Sequence, residues 1–268
     1  LEHPSIVPVY ELGTRKDGQL YYTMKLVRGE TLAESIKNCK TPEDRLGLLR
    51  SFLDVCQAMA YAHSKGVIHR DLKPSNILVD ERGEPHILDF GLAKTAAGMS
   101  RSGDTSIMPT ITGQIKGTVA YMSPEQAAGR SDLLDVRTDV YSLGVVLYQM
   151  CTGTLPYDIS GPIVEALNNI QHAEPKRPRQ AAGRCDSDVE AIILKCLAKD
   201  PDQRYQSAAE LKQDVQRWLD GLPIVAKSVS TVYLLRKIVS RHRYTATVLG
   251  SLLLTLCSVI FVVLHFYR

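Results

Sequence analysis

The sequence is poor in cysteine, and its six cysteines are scattered. No C-x-x-C pair occurs among them (positions 39, 56, 151, 185, 196 and 257). Because zinc sites and disulfide frameworks depend on regular cysteine spacing, both are disfavoured. Cys56, Cys151 and Cys196 stand in apolar helical contexts, where a thiol usually packs as a small buried hydrophobe. The cysteines therefore indicate a reducing compartment.

Acidic residues are missing from the C-terminal part of the chain. No Asp or Glu follows Asp220, whereas six basic residues do: Lys227, Arg236, Lys237, Arg241, Arg243 and Arg268. Subtracting these six from the 32 basic residues leaves 26 against 29 acidic ones in 1–220, a net charge of −3. The overall charge of +3 is therefore produced by the tail, and its explanation must be local.

Formal charge is absent altogether from Tyr244 to Leu264, a run of 21 residues rich in Leu, Val, Ile and Thr. A helix of that length reaches about 31 Å, close to the roughly 30 Å core of a bilayer. A buried helix of a water-soluble core is the alternative, although such helices seldom stay uncharged for so long. Four basic residues at 236–243 precede the run and only Arg268 follows it. The positive-inside rule then predicts a transmembrane helix whose N-terminal side is cytoplasmic.

The rest of the composition is typical of a globular domain, with 44% hydrophobic and 23% charged residues in 268. Two strand-like runs, IVPVYELGT and QLYYTMKLV, flank a turn that contains Asp17 and Gly18. These two residues predict a tight hairpin because both turn positions tolerate positive φ. GETLAESIKN then predicts a short helix.

Helical periodicity dominates the remainder of the chain. The stretch from Thr41 to Gly66 predicts one long helix, with Thr41 as its cap, Pro42 in its first turn and Gly66 after its last. Short apolar runs broken by polar loops fill 67–93, and the Gly-, Ser- and Thr-rich stretch 95–118 predicts a mobile surface loop. Further helices are predicted at 137–152, 162–171, 186–199 and 207–219. The pattern indicates a mostly helical lobe with a small sheet.

The segment HRDLKPSN, residues 69–76, carries the first chemical signal. It fits the pattern H-R-D-L-x-x-x-N, and DFG at 89–91 and SPE at 123–125 follow it. Together these motifs resemble the eukaryotic-like (Hanks-type) serine/threonine protein kinases over about residues 1–220. GTVAYMSPEQA, DVYSLGVVLYQMCTG and LAKDPDQRY make the likeness closest to bacterial membrane-bound members. The resemblance implies an α+β protein-kinase-like fold: mainly the helical C-terminal lobe, a two-stranded remnant of the N-terminal lobe, and then one transmembrane helix.

The resemblance assigns a chemical role to five residues. Phosphoryl transfer passes through a loose, highly charged transition state and needs positioning and charge neutralisation. Asp71 would orient the substrate hydroxyl and accept its proton, while Lys73 would steady the transferred phosphate. Asn76 and Asp89 would hold Mg²⁺, or Mn²⁺ as an alternative, on the phosphates of ATP. Thr118 would hydrogen-bond the catalytic loop. Each residue alone could equally cap a turn or face solvent, but their common motifs favour the catalytic explanation.

YYTMKLVRGETL resembles the hinge that contacts adenine in this family. Met24 would guard the back of the pocket, the backbone of Lys25 and Val27 would meet the adenine edge, and Leu78 would lie beneath the ring. The family usually has Glu where Lys25 stands, a change that a backbone contact tolerates. An ordinary strand leaving a hairpin is the alternative.

The family's activation mechanism gives Arg70 a further role. An arginine at this place receives a phosphate from the loop before SPE, and Thr110 and Thr112 resemble the activating threonines of related bacterial kinases. A phosphate adds about −1.5 to −2 charge and three acceptor oxygens, which could order the loop against Arg70.

Five other residues match supporting positions of the family. His69 resembles the histidine that packs beneath Phe90 of the DFG motif, so support is its expected role. Asp139 resembles the buried aspartate that braces the catalytic loop through the loop's backbone. Glu125 and Arg204 resemble an ion pair between the SPE segment and the late helices.

The resemblance also shows which kinase motifs the sequence does not contain. It has no G-x-G-x-x-G loop and no V-A-I-K-like strand, and Lys16 and Lys25 lie in the wrong strands to replace that lysine. We therefore expect a fragment of a membrane-anchored serine/threonine kinase that is inactive by itself. A pseudokinase-like scaffold that binds partners without transferring phosphate is the alternative, but the intact HRD, DFG and Asn76 count against it.

The expected organisation has four parts: a kinase domain at 1–220, a basic juxtamembrane segment at 221–243, a span at 244–264 and the start of an extracytoplasmic tail at 265–268. The expected location is the cell membrane, with the kinase domain in the cytoplasm and Ser/Thr-containing proteins as substrates. The basic segment abuts an apolar span, so anionic lipid is favoured as its partner over nucleic acid. One small-x-x-x-small match, at 246–250, leaves homodimer formation open.

Overall fold

The computed structural model describes residues 1–90, 117–183 and 185–227, together with 255, 260, 263 and 265–267. Nearly all of the loop predicted at 95–118, including Thr110 and Thr112, lies outside the described residues. The same is true of most of the predicted juxtamembrane segment and span. Within the described ranges, no helix combines the length and the apolarity needed to cross a bilayer.

The described residues form an α+β structure with five short strands and nine helices. The strands are β1 Val9–Thr14, β2 Leu20–Met24, β3 Gly29–Thr31, β4 Ile77–Asp80 and β5 Pro85–Ile87. The helices are α1 Leu32–Asn38, α2 Pro42–Gly47, α3 Leu49–Ser64, α4 Pro124–Ala127, α5 Val136–Thr152, α6 Ile163–His172, α7 Pro178–Ala182, α8 Ser187–Cys196 and α9 Ala208–Leu219. The four later helices predicted from periodicity correspond to α5, α6, α8 and α9.

Strands β1 and β2 form the predicted antiparallel hairpin, with a different turn from the one expected. Gly18 has φ +83° and donates its N–H to the Arg15 carbonyl at 2.9 Å, whereas Asp17 keeps a negative φ. The Asp17 carboxylate instead accepts the Gln19 N–H at 3.0 Å. Only one position needs positive φ because this is a three-residue loop with glycine at its end. The hairpin leaves large apolar side chains exposed: Val9, Tyr10, Leu12, Tyr22, Met24 and Leu26.

Strands β3, β4 and β5 form a second sheet, in that order, and all its pairings are antiparallel. Its strands have only three or four residues, too few to show alternation in the sequence, and none of the three was predicted as a strand. Gly29 fits this sheet because a Cβ there would lie 2.2 Å from the Val79 carbonyl oxygen. The sheet carries Leu78 in β4, and the catalytic-loop residue Asn76 comes directly before that strand.

The long helix predicted between Thr41 and Gly66 is divided into α2 and α3. The Leu48 N–H bonds to the Arg45 carbonyl at 3.1 Å, a tighter turn than an α-helix makes, so the chain re-enters the helix at Leu49. Thr41 accepts the Asp44 N–H at 3.1 Å and so caps α2. The predicted end is observed, since Gly66 has φ +73° and closes α3 after Lys65.

Helix α5 runs through the centre of the helical lobe. Of its 17 residues, 13 are buried, so this helix has no polar face directed to solvent. Gly144 allows α8 to approach closely, because a Cβ at this position would lie 2.3 Å from the Cys196 Cβ. Cys56 and Cys196 are fully buried, as the apolar context predicted, whereas Cys151 is only partly buried.

The residues after α9 fold back onto the lobe through a buried carboxylate. Asp214 is 1% exposed and accepts the Tyr205 hydroxyl at 2.6 Å. It also accepts the backbone N–H groups of Val225 at 2.6 Å and of Ala226 at 2.9 Å. Ile224 is buried beside this contact. The backbone is therefore held against α9 up to the last continuously described residues.

Candidate active site

The HRD segment is held from behind by one buried carboxylate. Asp139, in the first turn of α5, accepts the backbone N–H of His69 and that of Arg70, both at 2.8 Å. It also accepts the Nε2–H of His63 at 2.8 Å. Arg70 has φ +68°, an uncommon value for a residue with a side chain. A strained backbone of this kind persists where surrounding contacts fix it, and Asp139 supplies two of those contacts.

The His69 ring connects the HRD segment to the DFG motif. Its Nδ1 accepts the Asp71 N–H at 3.3 Å, so the proton lies on Nε2, which donates to the Leu88 carbonyl at 2.9 Å. Its centroid is 4.8 Å from that of the Phe90 ring, with an interplanar angle of 57°. One neutral imidazole thus contacts the residues on both sides of Asp89.

The catalytic-loop side chains converge on the Asp71 carboxylate. Lys73 Nζ donates to its two oxygens at 2.9 and 3.2 Å, and to the Thr118 hydroxyl at 2.8 Å. Asn76 Nδ2 donates to the Asp71 carbonyl at 2.9 Å and to its carboxylate at 3.2 Å. The Asp71 side chain is still 37% exposed. The carboxylate is therefore fixed in direction while remaining open to a substrate from solvent.

Two oxygen ligands suited to a hard cation lie at this site. Asn76 uses its amide nitrogen in both hydrogen bonds, which leaves its amide oxygen for a metal. Asp89 has φ +59°, and one of its carboxylate oxygens accepts the Tyr22 hydroxyl at 3.0 Å. Within the described ranges, no cluster of three or more His, Cys, Asp or Glu could hold a metal by itself. Phosphate oxygens and water would have to complete the coordination, as Mg²⁺ commonly requires.

The predicted hinge lies between β2 and β3. The Lys25 N–H donates to the Pro8 carbonyl at 3.3 Å, whereas no backbone hydrogen bond among the described residues uses the Lys25 carbonyl or the Val27 N–H. Leu78 is half-buried on β4, whereas Met24 is 39% exposed at the end of β2. One acceptor, one donor and an apolar surface suit the edge and the face of an adenine ring.

Lys25 also lines a second cleft. This cleft has a volume of about 650 Å³ and is lined by both acidic and basic groups: His3, Pro4, Ser5, Lys25, Asp54, Gln57, Asp80, Arg82, Glu84 and His86. None of the catalytic-loop residues lines it. The residue at the position where the family usually has Glu therefore also borders a cleft that is separate from the catalytic loop.

The SPE segment is anchored by a buried ion pair. Arg204 donates to both oxygens of Glu125 at 2.9 Å, and the Thr138 hydroxyl donates to one of them at 2.8 Å. Burial would raise the pKa of Glu125, but the hydrogen bonds and charge of Arg204, together with Thr138, hold this pKa below its ordinary value. Helix α4, which begins just after Ser123, is thereby fixed to the helical lobe.

Comparison with known proteins gives one consistent result. The protein kinase domain family matches residues 1–216. Serine/threonine-protein kinase PknD of Protochlamydia amoebophila is 40% identical over 243 residues, which covers 82% of this chain and 24% of that protein. Serine/threonine-protein kinase PknB of Mycobacterium tuberculosis is 38% identical over 234 residues, which covers 86% of this chain and 36% of that protein. The chain thus spans about a quarter of the length of the first relative and just over a third of the second.

A solved structure supports the fold independently. The crystal structure of the PknI kinase domain of Mycobacterium tuberculosis, a double mutant, matches with a TM-score of 0.59 and 24% sequence identity. The match covers 81% of this chain and 73% of that one, and at this identity it shows the fold alone. The chain has the α+β protein kinase fold, belongs to the protein kinase domain family and is homologous to bacterial serine/threonine-protein kinases of the Hanks type.

Proposed function

We propose that the protein containing this chain transfers the γ-phosphate of ATP to Ser or Thr hydroxyls of protein substrates. The observation that carries the proposal is the contact of Lys73 with both Asp71 and Thr118, at 2.9 and 2.8 Å. A carboxylate, an ammonium and a hydroxyl in that arrangement suit a hydroxyl nucleophile that must lose its proton while negative charge is neutralised.

Each group then has a separate task. The Asp71 carboxylate accepts the substrate hydroxyl's proton as the oxygen attacks the γ-phosphorus and the bond to the β-phosphate oxygen breaks. Lys73 neutralises charge on the transferred group, and Thr118 limits the directions in which Lys73 can point. Asn76 and Asp89 would hold Mg²⁺, or Mn²⁺ in its place, which when bound neutralises the phosphate oxygens.

Adenine binding would use the hinge. The Lys25 carbonyl would accept from the exocyclic amine, and the Val27 N–H would donate to a ring nitrogen. Leu78 would pack against one face of the ring, and Met24 would border the rear of the pocket. The sequence contains neither a glycine-rich loop nor a V-A-I-K-like strand. Residues 1–220 alone should therefore bind ATP very weakly and transfer no phosphate.

We propose loop phosphorylation as the activating step. Arg70 Nε is buried and has no hydrogen-bond partner among the described residues. A buried unsatisfied donor is costly, and a phosphate would satisfy it with charge as well as hydrogen bonds. Thr110 and Thr112 are the proposed acceptors of that phosphate.

We propose in addition that 244–264 spans the cell membrane with the kinase domain in the cytoplasm. The support is the uncharged run together with the basic residues at 236–243, each contributing about 1 kcal/mol of attraction to an anionic inner leaflet. A reporter fused after Arg268 should then be found outside the cytoplasm. A cytoplasmic reporter would refute the span or its direction.

Whether two copies pair through 246–250 can be measured by crosslinking the full-length protein.

The central experiment compares full-length wild type with Asp71→Asn. Wild type should phosphorylate a generic Ser/Thr substrate, and Asp71→Asn should abolish transfer while ATP binding is kept. Asp54→Asn, a carboxylate of the separate charged cleft, serves as the matched control and should leave transfer unchanged. If wild type binds partners and ATP but transfers nothing, the pseudokinase-like scaffold is the correct alternative.

A further inference from the structure

Gln126 joins the SPE helix to the catalytic loop. Its side-chain oxygen accepts the Ser123 N–H at 3.0 Å, while the Ser123 hydroxyl accepts the Gln126 N–H at 3.3 Å. The other end of the amide, Nε2, donates to the Arg70 carbonyl at 2.6 Å. We propose that Gln126 is a positioning residue for Asp71, acting through the Arg70 backbone. The inference rests on the proposed phosphotransfer function.

The peptide group between Arg70 and Asp71 is held at both ends. Gln126 donates to its carbonyl, and its N–H, which belongs to Asp71, donates to the His69 ring at 3.3 Å. The preceding N–H, that of Arg70, is held by Asp139 at 2.8 Å. A left-handed residue with a side chain is strained and persists only when surrounding contacts fix its backbone. Together with Asp139, the His69 ring and Asn76, Gln126 therefore helps to maintain the backbone from which the Asp71 carboxylate projects.

Glutamine at position 126 is required by the contact with Arg70 but not by the helix cap. A capping box needs only a side-chain oxygen at its third helical position, and Glu serves there as well as Gln. The contact with Arg70 needs a donor, which Gln has and an ionised Glu lacks. Either Gln or Glu could therefore form the cap, whereas only Gln can donate a hydrogen bond to the Arg70 carbonyl.

Helix α4 is a firm base for this contact. Glu125, the neighbouring residue, is paired with Arg204 at 2.9 Å, and both side chains are buried. On the other side, Gln171 Nε2 donates to the Ala127 carbonyl at 3.1 Å. A helix of four residues is thus tied to two other parts of the lobe. The hydrogen bond from Gln126 to Arg70 connects α4 to the catalytic loop, so a displacement of α4 would also displace the backbone at Asp71.

The test uses full-length protein and two variants. Gln126→Glu keeps the cap acceptor and removes the donor to Arg70, and it should lower kcat about tenfold or more, because small misplacements of a catalytic group are costly. The KM for ATP should stay at the wild-type value, and the thermal midpoint should fall no further than in the control variant Ser207→Ala. Ser207→Ala removes the cap of α9, far from the site, and should lower the thermal midpoint without changing kcat.

Hydrogen exchange supplies a readout that does not depend on activity. The amides of Arg70 and Asp71 should exchange about tenfold faster in Gln126→Glu than in wild type, and at the wild-type rate in Ser207→Ala. Unchanged kcat or unchanged exchange in Gln126→Glu would overturn the inference. So would a kcat that simply follows the thermal midpoint in both variants. A wild type without transfer activity would refute the proposed function instead, and the exchange rates would still decide the positioning role.

Discussion

The Tyr22 hydroxyl donates to the Asp89 carboxylate at 3.0 Å and joins strand β2 to the DFG motif across 67 residues of sequence. Burial, followed by the contact with Asp89, raises the pKa of Tyr22 above its ordinary value, so the phenol stays protonated and remains a donor near neutral pH. The contact engages one of the two carboxylate oxygens of Asp89, a residue of the proposed metal site. We therefore expect Tyr22 to compete with a divalent cation for Asp89.

Tyr22→Phe should tighten the binding of divalent cations. Loss of a hydrogen bond worth about 0.5–1.5 kcal/mol corresponds to a Kd roughly two- to tenfold lower. Mn²⁺ titration of the full-length protein, followed by electron paramagnetic resonance, measures this Kd. Tyr21→Phe is the matched control and should bind as wild type does, because the Tyr21 ring lies against Gly13 instead. Equal affinity in Tyr22→Phe and wild type would show that the hydroxyl does not compete.

Thr118 should matter through its hydroxyl alone. Thr118→Ala removes the acceptor of Lys73 Nζ, and a hydrogen bond to a charged group contributes about 1.5–3 kcal/mol, so kcat/KM should fall roughly ten- to a hundredfold. Thr118→Ser keeps the hydroxyl and should retain most of the activity. Steady-state kinetics with a peptide substrate gives both values. Similar losses in the two variants would point to the methyl group and contradict the proposed role.

Loss of the Glu125 charge should destabilise the fold at neutral pH. The pKa of Glu125 is lower in the folded protein than its ordinary value of 4.5, so its stabilising effect is complete above about pH 4.5 and is lost as pH falls through the lower folded-state pKa. Glu125→Gln strands the buried Arg204 charge and should cost about 3–5 kcal/mol at pH 7. Urea unfolding at pH 7 and pH 4 should show a smaller difference from wild type at the lower pH. A pH-independent difference would contradict this electrostatic explanation.

Phosphorylation of the loop should depend on Thr110 or Thr112. Mass spectrometry of active full-length enzyme should find phosphate on at least one of them, and the double variant Thr110→Ala/Thr112→Ala should lose most activity because Arg70 then receives no phosphate. Thr105→Ala, another hydroxyl of the same stretch, is the control. Full activity in the double variant would exclude this mode of activation.

The sequence predicted those parts of the fold in which apolar residues recur with helical periodicity or in which a kinase motif occurs. Helical periodicity predicted α5, α6, α8 and α9, and the HRD, DFG and SPE motifs predicted the fold and family that the comparisons confirmed. The three short strands were missed because three or four residues cannot display alternation. The break at Leu48 was missed because Leu46, Leu49 and Leu53 keep helical spacing across it.

The contacts of the site were harder to foresee than its residues. Tyr22 and His63 belong to ordinary strand and helix patterns, and only the tertiary fold brings them to Asp89 and Asp139. Gln126 was visible as the residue after SPE, and its place in a capping box could have been recognised from Ser123. Its second hydrogen bond, to Arg70 56 positions earlier, could not. Long-range contacts were predicted only where the family resemblance implied them, as for Glu125 with Arg204 and for Asp139 with the catalytic loop.

The buried Asp214 carboxylate also has a mechanical consequence. Two consecutive backbone amides, those of Val225 and Ala226, are gripped by an aspartate inside α9 rather than by a surface loop. A force applied to the backbone at Ala226 would therefore be transmitted through these two hydrogen bonds to α9 and the helical core.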